Sequence, residues 1–161
     1  MIDEIDLKIL TIVQSNARVP NTEIAKSVGM APSAVLERLR KLEAAGIVKG
    51  YAAQLDPRQV RHGLAAFVFV RTDDRVGEAR AGKALAEIPE IQEVHHVAGE
   101  DCFLVKVRVA DTTHLAEILR EKIGRIRSVK STRTTIVLET VKESTILPLT
   151  AVRKEKKKRG E

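Results

Sequence analysis

Asn21-Thr22-Glu23-Ile24-Ala25-Lys26-Ser27-Val28-Gly29-Met30-Ala31-Pro32-Ser33-Ala34-Val35-Leu36-Glu37-Arg38-Leu39-Arg40-Lys41-Leu42-Glu43 is the stretch that decides how the N-terminal part of this chain folds. Asn21 suits the cap of a helix, because its side-chain oxygen can accept from the unpaired N–H groups of a first turn. Gly29 ends that helix by accepting the positive φ of a tight exit. Pro32, with its fixed φ, fits the first position of a second helix that stops near Gly46. Two short helices cross closely only where a small side chain lies at the contact, and Ala25 provides it. Ile24, Val28, Val35 and Leu39 then close a small core.

An earlier segment completes this unit. Ile5, Ile9, Ile12 and Val13 recur at helical spacing over residues 3–15, and Asp3 and Asp6 suit the electropositive first turn. Asn16 to Pro20 breaks that helix. On the helix that follows Pro32, successive residues turn by about 100°. Val35, Leu36, Leu39 and Leu42 are expected on the inner side, with Ser33, Ala34, Glu37 and Lys41 opposite and Arg38 and Arg40 on the flanks. A major groove admits one such helix. Small residues at its start approach base edges while cations reach phosphates. Ser33, Ala34 and Glu37 are therefore candidate base readers. Arg38, Arg40 and Lys41 are candidates for phosphate or guanine, and Asn21 joins the candidate DNA-binding set.

Beyond Gly63 the period changes. Strand 64–71, helix 77–88 and strand 91–98 are echoed by strand 102–109, helix 112–123 and strand 128–140, with Gly99-Glu100-Asp101 as the link. Two βαβ halves of this length predict an antiparallel sheet with both helices on one face. The first strand interleaves Phe67 and Phe69 with Ala66, Val68 and Val70, so both of its faces call for cover. Helices can hide one face. A second subunit is the natural cover for the other, which predicts a homo-oligomer.

Composition bounds the rest. The chain has 161 residues and is 43% hydrophobic, 31% charged and 2% aromatic, so any core comes from aliphatic residues. No apolar run approaches the ~20 residues that span a bilayer, and the acidic start lacks the layout of a signal peptide; a cytoplasmic protein is expected. One cysteine, Cys102, excludes an internal disulfide and thiolate metal clusters. The net charge of +6 is uneven. Residues 1–50 carry seven Lys/Arg against six Asp/Glu, residues 51–141 fourteen against thirteen, and residues 142–161 seven against three. The excess lies in Arg153-Lys154-Glu155-Lys156-Lys157-Lys158-Arg159. That run reads either as a solvated end or as a weak attachment to nucleic-acid phosphates.

Several motifs, in order and spacing, resemble the leucine-responsive regulatory protein/AsnC family of transcription regulators. They are Ile5 to Leu10 (IDLKIL), Glu23 to Gly29 (EIAKSVG), Leu36 to Glu43 (LERLRKLE), Gly46 to Tyr51 (GIVKGY), Val97 to Asp101 (VAGED) and Ser131 to Thr134 (STRT). The resemblance covers residues 2–145. It implies an α+β chain with an N-terminal winged helix-turn-helix DNA-binding domain over 1–50 and an extended linker over 51–62. A ferredoxin-like (βαββαβ) effector and oligomerisation domain over 63–145 would follow, with the basic tail over 146–161 outside the resemblance. It further implies dimers joined through the sheet, association into octamers, and an amino-acid effector at the loop Gly99-Glu100-Asp101-Cys102. Two positions depart from the family pattern. Ala31 stands where many members have a capping serine, and Cys102 where many leucine-type members have an acidic residue.

Residue chemistry by itself favours an ordinary hairpin turn there and also permits a ligand site, which the resemblance brings forward. A glycine turn exposes backbone N–H groups to a carboxylate, and Glu100 and Asp101 can hold an ammonium. His95 and His96, near Asp101 and Cys102, invite a metal reading, but adjacent strand residues point to opposite faces and no metal is expected. Carboxylates beside Cys102 disfavour a thiolate, so it reads as a small packing or ligand-facing residue. No catalytic or cofactor motif is present, and neither enzyme nor cofactor is expected. The leading expectation is a sequence-specific regulator binding double-stranded DNA, modulated by an amino acid or related metabolite. The alternative is an architectural protein that coats or bends DNA. An RNA-binding sheet would need stacking aromatics that Phe67, Phe69 and Phe103 do not supply.

Overall fold

Asp3 starts the N-terminal unit. The structure, a computed structural model, describes residues 2–74, 80–99 and 102–149. Helix α1 (Glu4–Ser15) opens on a reciprocal cap in which Asp6 N–H donates to Asp3 Oδ1 at 2.8 Å and Asp3 N–H donates to Asp6 Oδ2 at 3.1 Å. Helix α2 (Asn21–Val28) corrects the expectation for Asn21. The cap is Pro20, whose carbonyl accepts from Glu23 and Ile24 at 2.9 and 3.2 Å. The proline ring already holds φ at −65° with an extended ψ of 144°, so Asn21 falls one place inside the helix and no side chain caps it. Gly29 leaves α2 at φ 70°, as expected.

Helix α3 (Pro32–Ala44) follows, with Ala31 at the cap position and no side-chain cap. It closes through Gly46 at φ 69°, where Ile47 and Val48 both donate to the Leu42 carbonyl. Residues 47–55 therefore start with their amides turned back into the helix end and form no strand. Ile9, Val13, Ile24, Ala25, Val35 and Leu39 make the core. Leu36 does not join them and is 39% exposed. It lies about 100° around from Val35, off the stripe that Leu39 and Leu42 continue.

The second unit contains β1 (Leu64–Thr72), α4 (Arg80–Ala86), β2 (Ile91–His96), β3 (Phe103–Val109), α5 (Thr112–Glu117) and β4 (Val129–Ile136). The sheet order is β2-β3-β1-β4 with every pairing antiparallel, which is the ferredoxin-like arrangement. Ala66, Val68 and Val70 of β1 and Val105 and Val107 of β3 are fully buried on the helix-covered face. Gly82 lets α4 approach that face: a Cβ there would stand 2.8 Å from Phe103 Cε1. Helix α4 is shorter than the expected 77–88, and residues 75–79 lie outside the described residues.

Past Glu117 the helix widens into a π turn, Ile118–Lys122, and tightens into a 3₁₀ turn, Ile123–Arg125. Ile118 and Ile123 would sit about 140° apart on a regular helix. The wide turn brings both inward, to 1% and 0% exposure.

The chain up to Ala53 groups with the chain from Glu143 onward, and Gln54–Lys142 forms the other unit. Gln14 of α1 makes that return visible. Its Nε2 donates to the Leu147 carbonyl at 2.8 Å, and Leu147 N–H donates to its Oε1 at 3.0 Å.

Candidate functional site

The outer side of α3 presents Ser33, Glu37, Arg40 and Lys41 to solvent, with Ala34 half-covered. Glu37 and Lys41, one turn apart, are paired at 2.7 Å, and the Lys41 ammonium holds the Glu37 carboxyl below its ordinary value. Arg40 is exposed and in no ion pair recorded among the described residues. Its inner side is closed by Val35, Leu39 and Leu42. The helix thus offers one polar face and buries the other.

Arg38 lies on the flank of the helix, as expected, and its guanidinium is engaged within the chain. Its Nη1 donates to Asp3 Oδ2 and to Asp6 Oδ1, both at 2.7 Å. Each aspartate uses one oxygen for the α1 cap and the other for Arg38, and Asp6 is only 8% exposed. The Asp3 carboxyl is held below its ordinary value, first by the Asp6 N–H and then by the guanidinium. Asp6 and Asp3 in turn raise the Arg38 pKa. Arg38 therefore fixes α3 against the start of α1, and its charge is already met. The physical reason lies in the helix wheel: at about 60° from Val35, it flanks the buried stripe. A groove of about 520 Å³ opens beside the pair, bordered by Ile2, Met30, Glu37 and Lys41.

In the second unit, Gly99 has φ 145°, a conformation that favours glycine, and open space where a side chain would be. Cys102 is half-buried against the core; its N–H donates to Val70 O at 3.1 Å and its Sγ lies 3.6 Å from Thr72 O. Glu100 and Asp101, the acidic half of the expected ligand loop, lie outside the described residues. His95 pairs with Glu93 at 3.2 Å, whereas the His96 ring lies 5.1 Å from Phe103 on the opposite face. Among the described residues no His, Cys, Asp or Glu cluster could hold a metal, and no helix is long and apolar enough to cross a membrane.

The sheet face away from the helices carries half-buried Phe67, Phe69 and Leu104. The Arg133 guanidinium lies 4.1 Å over the Phe69 ring, and Lys106 donates to Glu93 at 3.2 Å. This is an apolar centre with a charged rim.

Comparison with known families matches residues 2–49 to "Winged helix-turn-helix DNA-binding" and residues 65–147 to "Lrp/AsnC ligand binding domain". The chain belongs to the Lrp/AsnC family. The HTH-type transcriptional regulator FL11 of Pyrococcus horikoshii is 38% identical over 149 residues, covering 92% of this chain and 97% of that one. The leucine-responsive regulatory protein of Escherichia coli is 37% identical over 145 residues, covering 89% and 88%. The crystal structure of a Neisseria meningitidis transcriptional regulator in complex with L-methionine superposes with a TM-score of 0.85. It is 31% identical, over 92% of this chain and 97% of that one.

As an Lrp/AsnC protein this chain is a DNA-binding transcription regulator with a ligand-binding domain, α+β in class. Sequence reasoning missed three features of it. The Arg38 clamp joins residues far apart in the chain, and only the complementary charges of Asp3, Asp6 and Arg38 hinted at it. The Tyr51 hydroxyl donates to Glu43 Oε1 at 2.7 Å, tying the chain after α3 back to that helix. The Gln14–Leu147 bridge had no signal in periodicity at all.

Proposed function

We propose that this Lrp/AsnC protein reads duplex DNA with the outer side of α3 and couples that reading to an amino acid held by its sheet domain. The exposed polar face of α3, backed by a closed apolar one, carries the proposal. Ser33, Ala34 and Glu37 face base edges. Arg40 and Lys41 take phosphate or guanine. Asn21 opens a helix whose first N–H groups no side chain caps, a place that favours a phosphate oxygen. Arg38 leaves the set and becomes the residue that holds α3 in position.

A second copy of the chain covers the sheet face of Phe67, Phe69 and Leu104, and the resulting dimer offers two copies of α3 to half-sites one helical turn apart. The effector is an amino acid with an apolar side chain, bound near Gly99 and Cys102. The name of one relative and the methionine complex of another support that class. The Glu100 and Asp101 part of the loop rests on sequence alone. The protein works in the cytoplasm.

The test uses the full chain, an operator selected from random duplexes, and a scrambled duplex at one salt concentration. Discrimination of about a thousandfold or more is expected, and Arg40→Ala should cost on the order of 1–3 kcal/mol on the operator if it contacts a base. A ratio near one would favour the DNA-coating alternative. A thermal-shift screen of the amino acids tests the effector, since a ligand that prefers the native state raises its melting point. No shift with any apolar amino acid would remove it.

A further inference from the structure

The chain leaves α3 under close control. Gly46 turns at φ 69°, and the Ile47 and Val48 N–H groups both donate to the Leu42 carbonyl, at 2.9 and 3.2 Å. Gly50 turns again at φ 154°, a conformation that favours glycine. Tyr51 then comes back to α3, where its hydroxyl donates to Glu43 Oε1 at 2.7 Å. An ionised acceptor makes such a bond stronger than one between neutral groups. Through Tyr51 the chain is part of the helix-turn-helix.

Order resumes at Asp56. Its Oδ1 accepts from the Arg58 N–H at 2.9 Å and its carbonyl from the Gln59 N–H at 3.1 Å, and the Pro57 carbonyl accepts from His62 at 2.7 Å. Between these two fixed ends lie Ala52, Ala53, Gln54 and Leu55. All four are exposed and make no hydrogen bond among the described residues. The division of the chain into its two units falls within them, between Ala53 and Gln54. The other connection, the return arm, is longer. Nine residues separate Val137, whose N–H donates to Ala65 of β1, from Leu147, held by Gln14. The four-residue link is the tighter tether.

We propose that Tyr51 is a positioning residue for paired DNA sites: held by Glu43, it keeps the link at four residues and so limits the half-site spacings that the two α3 helices of a dimer engage together. The inference rests on the dimer and the half-sites proposed for α3. At about 3.5 Å per residue, four residues reach roughly 14 Å. With the Tyr51 bond cut, the free stretch starts at Lys49 and runs to Leu55, which reaches roughly 25 Å. The gain in each protomer, on the order of 10 Å, equals about three base pairs of duplex. A tether too short to span two sites yields no avidity, and a slack one spreads it over many arrangements. The pin acts on spacing, and α3 on base sequence.

The test titrates the full chain onto duplexes that carry two copies of the selected half-site, stepped from about 10 to about 16 base pairs between centres, and onto a duplex that carries one. Wild type should prefer its best spacing by about tenfold or more over a spacing three base pairs away. Tyr51→Phe should cut that preference to about threefold or less and keep single-half-site affinity within about twofold. Glu43→Ala, which removes the same bond from its other end, should reproduce this profile. Glu43→Gln retains an oxygen acceptor and should restore the wild-type one. A wild-type spacing profile in both Tyr51→Phe and Glu43→Ala overturns the proposal. So does a loss on the single half-site as large as the loss on pairs, which would make Tyr51 a plain support of the helix-turn-helix. Failure of the underlying reading looks different: wild type itself would gain nothing from a second half-site at any spacing, which removes the dimer and the proposal together.

Discussion

Arg38, a candidate DNA contact by sequence, makes its ion pairs within the fold. Two carboxylates already shared in a helix cap receive its guanidinium at 2.7 Å each. Removing it leaves Asp6, nearly buried, without its cation, which costs more than losing an exposed pair. Arg38→Ala is expected to lower the melting midpoint and leave the salt dependence of DNA binding unchanged; a slope shallower by about one would return Arg38 to the phosphate contacts. The sign of the pH effect follows from Asp3. Its carboxyl is depressed in the folded state, so its contribution is present above the ordinary value of 3.8 and fades as pH falls through the lower folded value. Asp3→Asn should flatten that acid decline in a pH series of melting curves. Tyr51 gives a second test. Partial burial and then the Glu43 carboxylate raise its hydroxyl to about 12. It is the one tyrosine in a chain without tryptophan, so tyrosinate absorbance reports it alone. Glu43→Gln should move the midpoint down toward 10 without reaching it; an unmoved midpoint would mean the carboxylate has no part.

At the scale of elements, α4 approaches the sheet closely enough to exclude a side chain at Gly82. Gly82 faces the edge of a Phe103 ring that is itself 4% exposed and has no room to swing away. Gly82→Ala is expected to cost about 1–3 kcal/mol by overpacking, seen as a lower urea midpoint at unchanged m-value. Stability equal to wild type would mean that α4 shifts freely over the sheet. Element types and order were legible in the sequence because they follow from apolar spacing and glycine placement, as Ile9, Val35 and the alternation of β3 attest. Three details were not. Pro20 displaced Asn21 from the cap through ring geometry, a competition that spacing does not register. Leu36 sat close enough to the stripe to be read with it. The wide turn at Ile118–Lys122 exists because two isoleucines five residues apart both reach the core, a demand set by the sheet beneath rather than by local sequence.

For the whole molecule, the proposed assembly depends on the sheet face away from the helices. Phe69 lies at the middle of that face, opposite Leu104 on one neighbouring strand and Arg133 on the other. Phe69→Glu would place a charge where the second subunit is proposed to sit, so the protein should sediment as a monomer and lose cooperative binding to paired half-sites. A dimer that survives would move the interface elsewhere. The candidate site was legible in proportion to its locality. The exposed side of α3 could be read from one helical wheel, whereas the Arg38 clamp and the arm at Leu147 depend on residues that meet only after folding. That second meeting also orders the chain in time. Synthesis delivers α1 first and Leu147 only after the entire sheet domain has left the ribosome, so the unit made earliest is the one finished last.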